Sequence, residues 1–171
     1  MGVSGSGKST IAEALAKCLS WRFEDGDAFH PAANVAKMSA GHPLTDEDRW
    51  PWLNAIADEI GRVYGAGGHM IVACSALKRA YRDVLRRGRS DVRFVFLNGT
   101  PELIATRLAR RKCHFMPPEL LASQFKTLEP PGTDEHAIAV PIDAPVEAIV
   151  AAIVRELNVS AADGGRPKAS S

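Results

Sequence analysis

The sequence predicts an α/β domain in which a parallel β-sheet is covered by helices on both faces. Three observations predict it. Segments of helical and strand periodicity alternate along the chain. A glycine-rich turn, Gly-Val-Ser-Gly-Ser-Gly-Lys-Ser at residues 2–9, stands directly before the first helical segment. The length, 171 residues, suits one domain able to bury its own core.

The elements follow in order. Residues 9–19 form a helix whose apolar stripe is Ile11, Leu15, Cys18 and Leu19. A short strand, 21–24, leads into Asp25-Gly26-Asp27. Thr45 begins a long helix with Asp46, Glu47 and Asp48 in its first turn, where carboxylates complement the helix dipole. Leu53, Ile56, Ile60 and Val63 face inward from it, and Gly65, Gly67 and Gly68 end it. Residues 70–74 are an apolar strand, 78–87 a short basic helix closed by Gly88, and 92–97 the next strand. Thr100 caps a helix with Pro101 at its first position. That helix runs through Leu103, Ile104 and Leu108 into a basic stretch at 107–112. Pro117 and Pro118 open another helix carrying Leu120, Leu121 and Phe125. The last strand is 138–140, and the last helix, 146–157, buries Ile149, Val150, Ile153 and Val154. The domain therefore spans 1–158, with a candidate lid at about 107–126, and the small polar residues 159–171 read as a disordered tail.

One feature departs from this plan. In α/β proteins with such a loop a buried strand enters it directly, yet here only Met1 precedes Gly2. The expectation is a truncated first strand of which Met1 is the last residue. Two neighbouring strands would then carry unpaired backbone groups, each costing about 1–3 kcal/mol if buried and unsatisfied.

Composition excludes several classes. A formal net charge of +1 gives no bulk attraction to nucleic acid or anionic membranes, and no run is long enough for a membrane span. Three cysteines, Cys18, Cys74 and Cys113, are odd in number and widely spaced, which fits reduced thiols in a cytoplasm better than a disulfide framework. Cys18 and Cys74 read as core fillers.

Three segments carry chemistry. Gly2, Gly7, Lys8 and Ser9 satisfy the template G-x-x-x-x-G-K-[ST], in which glycines let successive backbone N–H groups converge on one polyphosphate. The following helix adds the positive end of its dipole, Lys8 can reach the outer phosphates, and the Ser9 hydroxyl can ligate magnesium. The second segment, Asp25-Gly26-Asp27, lies at the C-terminal end of a predicted strand, where open α/β sheets place ligands. Two carboxylates one glycine apart can divide two tasks, one facing a metal and one a substrate hydroxyl; the plainer reading is an acidic turn. Because the strand at 70–74 ends in Cys74-Ser75 with no acid, Asp25 is the candidate carboxylate for magnesium. The third segment, with Arg107, Arg110, Arg111 and Lys112, can bring cations onto a transferring phosphoryl group. Arg107 and Arg111 stand one helical turn apart on one face, though a solvated basic face would look the same.

Together these residues resemble the gluconokinases, small kinases that phosphorylate D-gluconate. The resemblance covers nearly the whole chain. It rests on G-V-S-G-S-G-K-S-T at 2–10, D-G-D-A-F-H-P at 25–31 with Asn34, Lys37 and Met38, and G-H-P-L-T-D-E-D-R-W-P-W-L at 41–53. It continues in A-C-S-A-L-K at 73–78 with Tyr81-Arg82-Asp83, H-F-M-P at 114–117, and S-Q-F-K-T-L-E-P-P at 123–131. It implies a three-layer P-loop NTPase fold like that of the nucleoside-monophosphate kinases, with ATP and Mg2+, and suggests a homodimer. Gluconate and ATP would react to give 6-phosphogluconate and ADP.

Resemblance and chemistry jointly assign roles. The loop Gly2, Val3, Ser4, Gly5, Ser6, Gly7, Lys8, Ser9 and Thr10 would bind the nucleotide, with Ser9 and Asp25 on magnesium. Asp27 would orient and deprotonate the C6 hydroxyl. The acceptor's carboxylate needs a cation, for which Arg49, Lys78 and Arg82 are candidates, and His30 and Gln124 could serve its hydroxyls. For Arg49 an ion pair with Asp46 or Glu47 is an equal reading. Arg107 and Arg111 would stabilise the transferred group. The same residues also admit a shikimate-kinase-like or nucleoside-monophosphate kinase that differs only in its acceptor. A nucleotide-binding module without acceptor chemistry remains open too, although the pairing of Asp25 and Asp27 with a basic lid exceeds what binding alone requires.

Overall fold

The computed structural model describes residues 1–110 and 118–158, without the side chains of 118–120. The proposed tail at 159–171 and lid residues 111–117, including Arg111, lie outside the described residues.

Seven helices and four strands are described. They are α1 (Lys8–Leu19), β1 (Arg22–Asp25), α2 (Ala32–Ser39), α3 (Asp46–Gly65), β2 (Met70–Ala73) and α4 (Arg79–Arg86). Then come β3 (Val95–Asn98), α5 (Pro101–Ala109), α6 (Pro118–Thr127), β4 (Ile138–Pro141) and α7 (Val146–Leu157). Short 3-10 turns follow β1 and precede β4. The alternation demanded by the sequence is present, and every strand pair is parallel. β1 pairs with β2 in the register Arg22↔Met70, and β3 with β4 in the register Val95↔Ile138. The backbone of the first residues bridges the two ladders. The Met1 amino group donates to Val95 O, Met1 O accepts from Leu97 N at 3.0 Å, and Gly2 N donates to Ser75 O at 3.1 Å.

Two apolar clusters cover the strands. One joins Ile11, Leu15 and Leu19 of α1 with Leu97, Ile138 and Val140 of the strands and Ile149 and Ile153 of α7. The other joins Trp52, Leu53 and Ile56 of α3 with Tyr81 and Leu85 of α4 and Phe94. Adjacent residues of β2 divide between them, Ile71 in the first and Val72 in the second, so the clusters lie on opposite faces of the strands. This is the three-layer arrangement of helix, sheet and helix. Among the described residues no helix is long and apolar enough to cross a membrane.

Capping explains two starts. Thr45 accepts from Asp48 N at 3.3 Å while its own N–H donates to the Asp48 carboxylate at 2.7 Å, a capping box at the head of α3. Thr100 accepts from Leu103 N above Pro101, as the sequence predicts.

Two differences from the sequence reading have physical causes. The helix α2 was absent from that reading because its only buried residue is Asn34, so it has no apolar stripe to betray it. Cys18 is exposed and fills no core. The buried stripe of α1 is Ile11, Ala12, Leu15, Ala16 and Leu19, and at about 100° per residue Cys18 stands roughly a quarter turn from its centre. Cys74 is buried as expected, and desolvation pushes its thiol up to about 11.

Candidate active site

The glycine-rich loop is shaped by backbone that only glycine adopts freely. Gly5 and Gly7 have φ of 83° and 91°, and a Cβ on Gly5 would lie 2.8 Å from Leu108 Cγ. Gly7 directly precedes α1, so the free amides at the head of that helix and its positive dipole end converge on the loop's concave side. Lys8 Nζ donates to Val3 O at 3.0 Å, folding the side chain back along the loop. Ser9 and Thr10 are exposed at its mouth.

Ser9 and Asp25 meet there. Ser9 Oγ donates to Asp25 Oδ2 at 3.3 Å although sixteen residues separate them, because β1 delivers Asp25 from its C-terminal end beside the start of α1. A hydroxyl and a carboxylate side by side are hard oxygen donors of the kind magnesium takes while keeping several waters, so the pair fits that ion. The other Asp25 oxygen accepts from Asp27 N at 3.0 Å and caps the 3-10 turn at Gly26–Phe29. Gly26 permits this turn: a Cβ there would stand 2.7 Å from Ala73 O. The turn throws the Asp27 side chain outward, where it is 86% exposed.

Beyond Asp27 lies His30, whose Nε2 is 3.9 Å from Asp27 Oδ1. Its side chain is only 5% exposed and stacks on Trp52 at a ring separation of 4.3 Å. Burial lowers its pKa, the Asp27 charge opposes that shift, and the Arg49 guanidinium adds to it. His30 thus lies within electrostatic reach of both Asp27 and Arg49 of α3.

Those cations form a claw around one carboxylate. Asp46 accepts from Lys78 Nζ at 2.6 Å and from Tyr81 Oη at 2.5 Å, and Arg49 Nη1 lies 3.7 Å away. Arg49 and Lys78 also stand over the Tyr81 ring, at 5.8 and 5.5 Å from its centre. The Lys78 and Tyr81 hydrogen bonds hold the Asp46 carboxyl below its usual range, and the bond to Asp46 raises Lys78. Arg49 and Lys78 remain about one-third exposed, so the claw is open to an anion from solvent. The sequence assigns Asp46 a helix-start role and an ion pair with Arg49, which the structure shows at 3.7 Å, but neither its bonds to Lys78 and Tyr81 nor any role for Tyr81. Their signal was the spacing of 35 residues that only the α3–α4 contact closes.

Three other candidates have partners that the sequence does not name. Arg82 is 1% exposed and bound to Glu135 by two hydrogen bonds, at 2.5 and 2.9 Å. Its Nη1 donates to Ala76 O, Leu77 O and Glu129 O. It is a buried clamp rather than a cation facing an acceptor, because α4 turns it inward together with Arg86, which donates to Glu135 O at 2.7 Å, while Arg79 takes the exposed position. Gln124 touches the loop: its Oε1 accepts from Ser4 N at 2.7 Å. Arg107 donates to Ile142 O and lies beside Gly7, in a recess lined also by Gly5, Ser6, Thr10 and Val146. Among the described residues, no group of three or more His, Cys, Asp or Glu side chains could hold a metal.

Comparison with known proteins extends this geometry. Residues 4–157 match the protein family described as Shikimate kinase. The chain is 47% identical over 158 residues to a gluconokinase of Gluconobacter oxydans, covering 92% of this chain and 89% of that protein. It is also similar to a crystal structure of a gluconokinase from Sinorhizobium meliloti 1021, with a TM-score of 0.82 at 45% identity over 91% of this chain and 87% of that one. The Mycobacterium tuberculosis APS kinase CysC shares the fold at 16% identity, with a TM-score of 0.68 over 92% of this chain and 94% of that one.

Proposed function

We propose, from the premise that this chain belongs to the gluconokinase family of P-loop kinases, that it transfers the γ-phosphoryl group of ATP to O6 of D-gluconate. The products are 6-phospho-D-gluconate and ADP. The observation that carries the reading is the position of Asp27. It stands two residues from the Ser9–Asp25 pair at the mouth of the phosphate loop and next to His30, which also feels Arg49.

Each residue then has one task. Lys8 and the amides of residues 5–10 hold the β- and γ-phosphates, and Ser9 with Asp25 would hold Mg2+. The chemistry an ion held there would supply is neutralisation of the charge that develops on the phosphates. Asp27 accepts the C6 hydroxyl proton as O6 bonds to the γ-phosphorus and the bond to the β,γ-bridging oxygen breaks, releasing ADP. Arg49 and Lys78 take the gluconate carboxylate, with Tyr81 completing the claw. Arg107 sits beside the loop, and Arg111, carried by a lid at about 107–126, adds a second cation to the transferred group. Gln124 supports the loop through Ser4. Free thiols at Cys18 and Cys74 support a cytoplasmic setting, and the resemblance supports a homodimer.

The test is ADP release with ATP and magnesium over a panel of gluconate, other sugar acids, shikimate and nucleoside monophosphates. The expected result is gluconate-dependent turnover with the new phosphate on C6, read by NMR. Turnover without an acceptor, or a preference for shikimate or a nucleotide, overturns the reading.

A further inference from the structure

Asn34 is the one buried residue of α2, 5% exposed, and its side-chain amide bridges two partners. One atom of that amide lies 2.8 Å from Asp48 O. A backbone carbonyl only accepts, so that atom is the NH2 nitrogen and the amide's orientation is fixed by chemistry. The same nitrogen lies 3.3 Å from His30 Nδ1. A donor on one side requires a lone pair on the other, so Nδ1 accepts and the single proton of the neutral ring sits on Nε2. Nε2 is the ring nitrogen turned towards Asp27 Oδ1, 3.9 Å away.

The ring is held in this orientation from its face as well. Trp52 stacks on it at an interplanar angle of 13°, and Trp52 is itself anchored by its indole N–H on Gly26 O at 2.6 Å. Gly26 is the residue between the two aspartates, so stack and carboxylates share one frame. The exposed Asp27 side chain needs about 1 Å of rotation to bring its oxygen within hydrogen-bond reach of Nε2.

We propose that Asn34 is a positioning residue for phosphoryl transfer: it fixes His30 as the Nε2–H tautomer, which holds one Asp27 oxygen and leaves the other for the acceptor hydroxyl. His30 keeps its proton throughout and acts through Asp27. The inference rests on Asp27 being the group that receives the acceptor proton.

Two measurements test it. The first is 15N-resolved NMR of the full chain without ligands, with the His30 ring assigned by its loss in His30→Gln. The expected signature is a pyridine-like Nδ1 and a pyrrole-like Nε2, lost or mixed in Asn34→Ala; the opposite tautomer in the wild type overturns the proposal. The second is kinetic. His30→Gln places an amide donor near the Nε2 position and His30→Asn near the Nδ1 position, so Gln should exceed Asn in kcat by about tenfold, the worth of one hydrogen bond. Asn34→Ala should lower kcat by a similar factor with little change in either KM, and should add nothing in a His30→Ala background. Equal kcat for the Gln and Asn variants, or full additivity, overturns the proposal. Should Asn34→Ala not fold, the His30 pair and the wild-type spectrum still decide. Absence of gluconate-dependent turnover in the wild type would defeat the proposed function, whereas the spectrum reads the tautomer independently.

Discussion

Replacing Glu135 by Gln should remove a large share of this protein's stability while sparing its affinity for acceptor. Arg82 and Glu135 are 1% and 3% exposed and share two short hydrogen bonds. The amide is nearly isosteric with the carboxylate, so the change leaves the shape intact and a guanidinium buried without its counter-charge. Breaking a buried pair from one side costs about 3–5 kcal/mol. In a domain this size each kcal/mol moves the melting temperature by roughly 2–4 °C, so a fall of roughly 6–20 °C is expected by calorimetry. The Arg82 hydrogen bond lowers the Glu135 carboxyl below its usual value of 4.5. A depressed carboxylate stabilises above the unfolded value and loses that contribution as pH falls towards its folded value. The gap between variant and wild type should therefore be full near neutrality and close in acid. The double variant Arg82→Met with Glu135→Leu should recover only part of the loss, since it removes the desolvation cost along with the attraction but leaves Ala76 O, Leu77 O and Glu129 O without their donor. A fall below about 3 °C, or a gap independent of pH, would refute the reasoning. A manyfold rise in gluconate KM for Arg82→Met, measured where it is fully folded, would return Arg82 to the acceptor site.

Further outcomes are expected at the surface of the site and the core. Asp27→Asn should abolish transfer, a loss of at least 100-fold on the scale of general-base catalysis, with ATP binding by calorimetry near normal; wild-type turnover would remove its role. Lys78→Ala should raise the gluconate KM by about tenfold or more with the ATP KM unchanged, because a charge-assisted contact to the carboxylate is lost; a change confined to ATP would move Lys78 out of the acceptor claw. In native protein at pH 8, iodoacetamide should modify Cys18 well before Cys74, whose thiol burial pushes up to about 11; equal rates by peptide mass mapping would contradict that burial. Asp48, lowered to about 2 by its bonds from Lys37 and Thr45, should stabilise the head of α3 fully above pH 4 and lose that effect as pH falls to about 2; an Asp48→Asn melting difference that persists unchanged at pH 2 would show otherwise.

Much of this site is legible without coordinates. The loop at 2–10 is a contiguous pattern whose glycines shape the backbone and whose lysine and serine stand next to it, so its geometry is local and its spacing sufficient. The same holds for Asp25-Gly26-Asp27, which sits where a predicted strand ends. Helix α2 was not legible, since periodicity reveals an element only through the face it buries, and α2 buries a single asparagine.

The sequence by itself determined the alternating elements, the phosphate loop and the family resemblance, because these depend on neighbours within a few residues along the chain. Only the tertiary structure decided which cations are buried and which reach solvent. Arg82 and Lys78 stand four residues apart, yet one is buried against Glu135 and the other reaches Asp46 in a claw about one-third exposed to solvent. Their partners lie 53 and 32 residues away, and Gln124 finds Ser4 across 120. A side chain's charge is written in the chain, but its dielectric surroundings and its counter-charge come from elements brought together by burial of apolar surface, and those are fixed only when the helices dock.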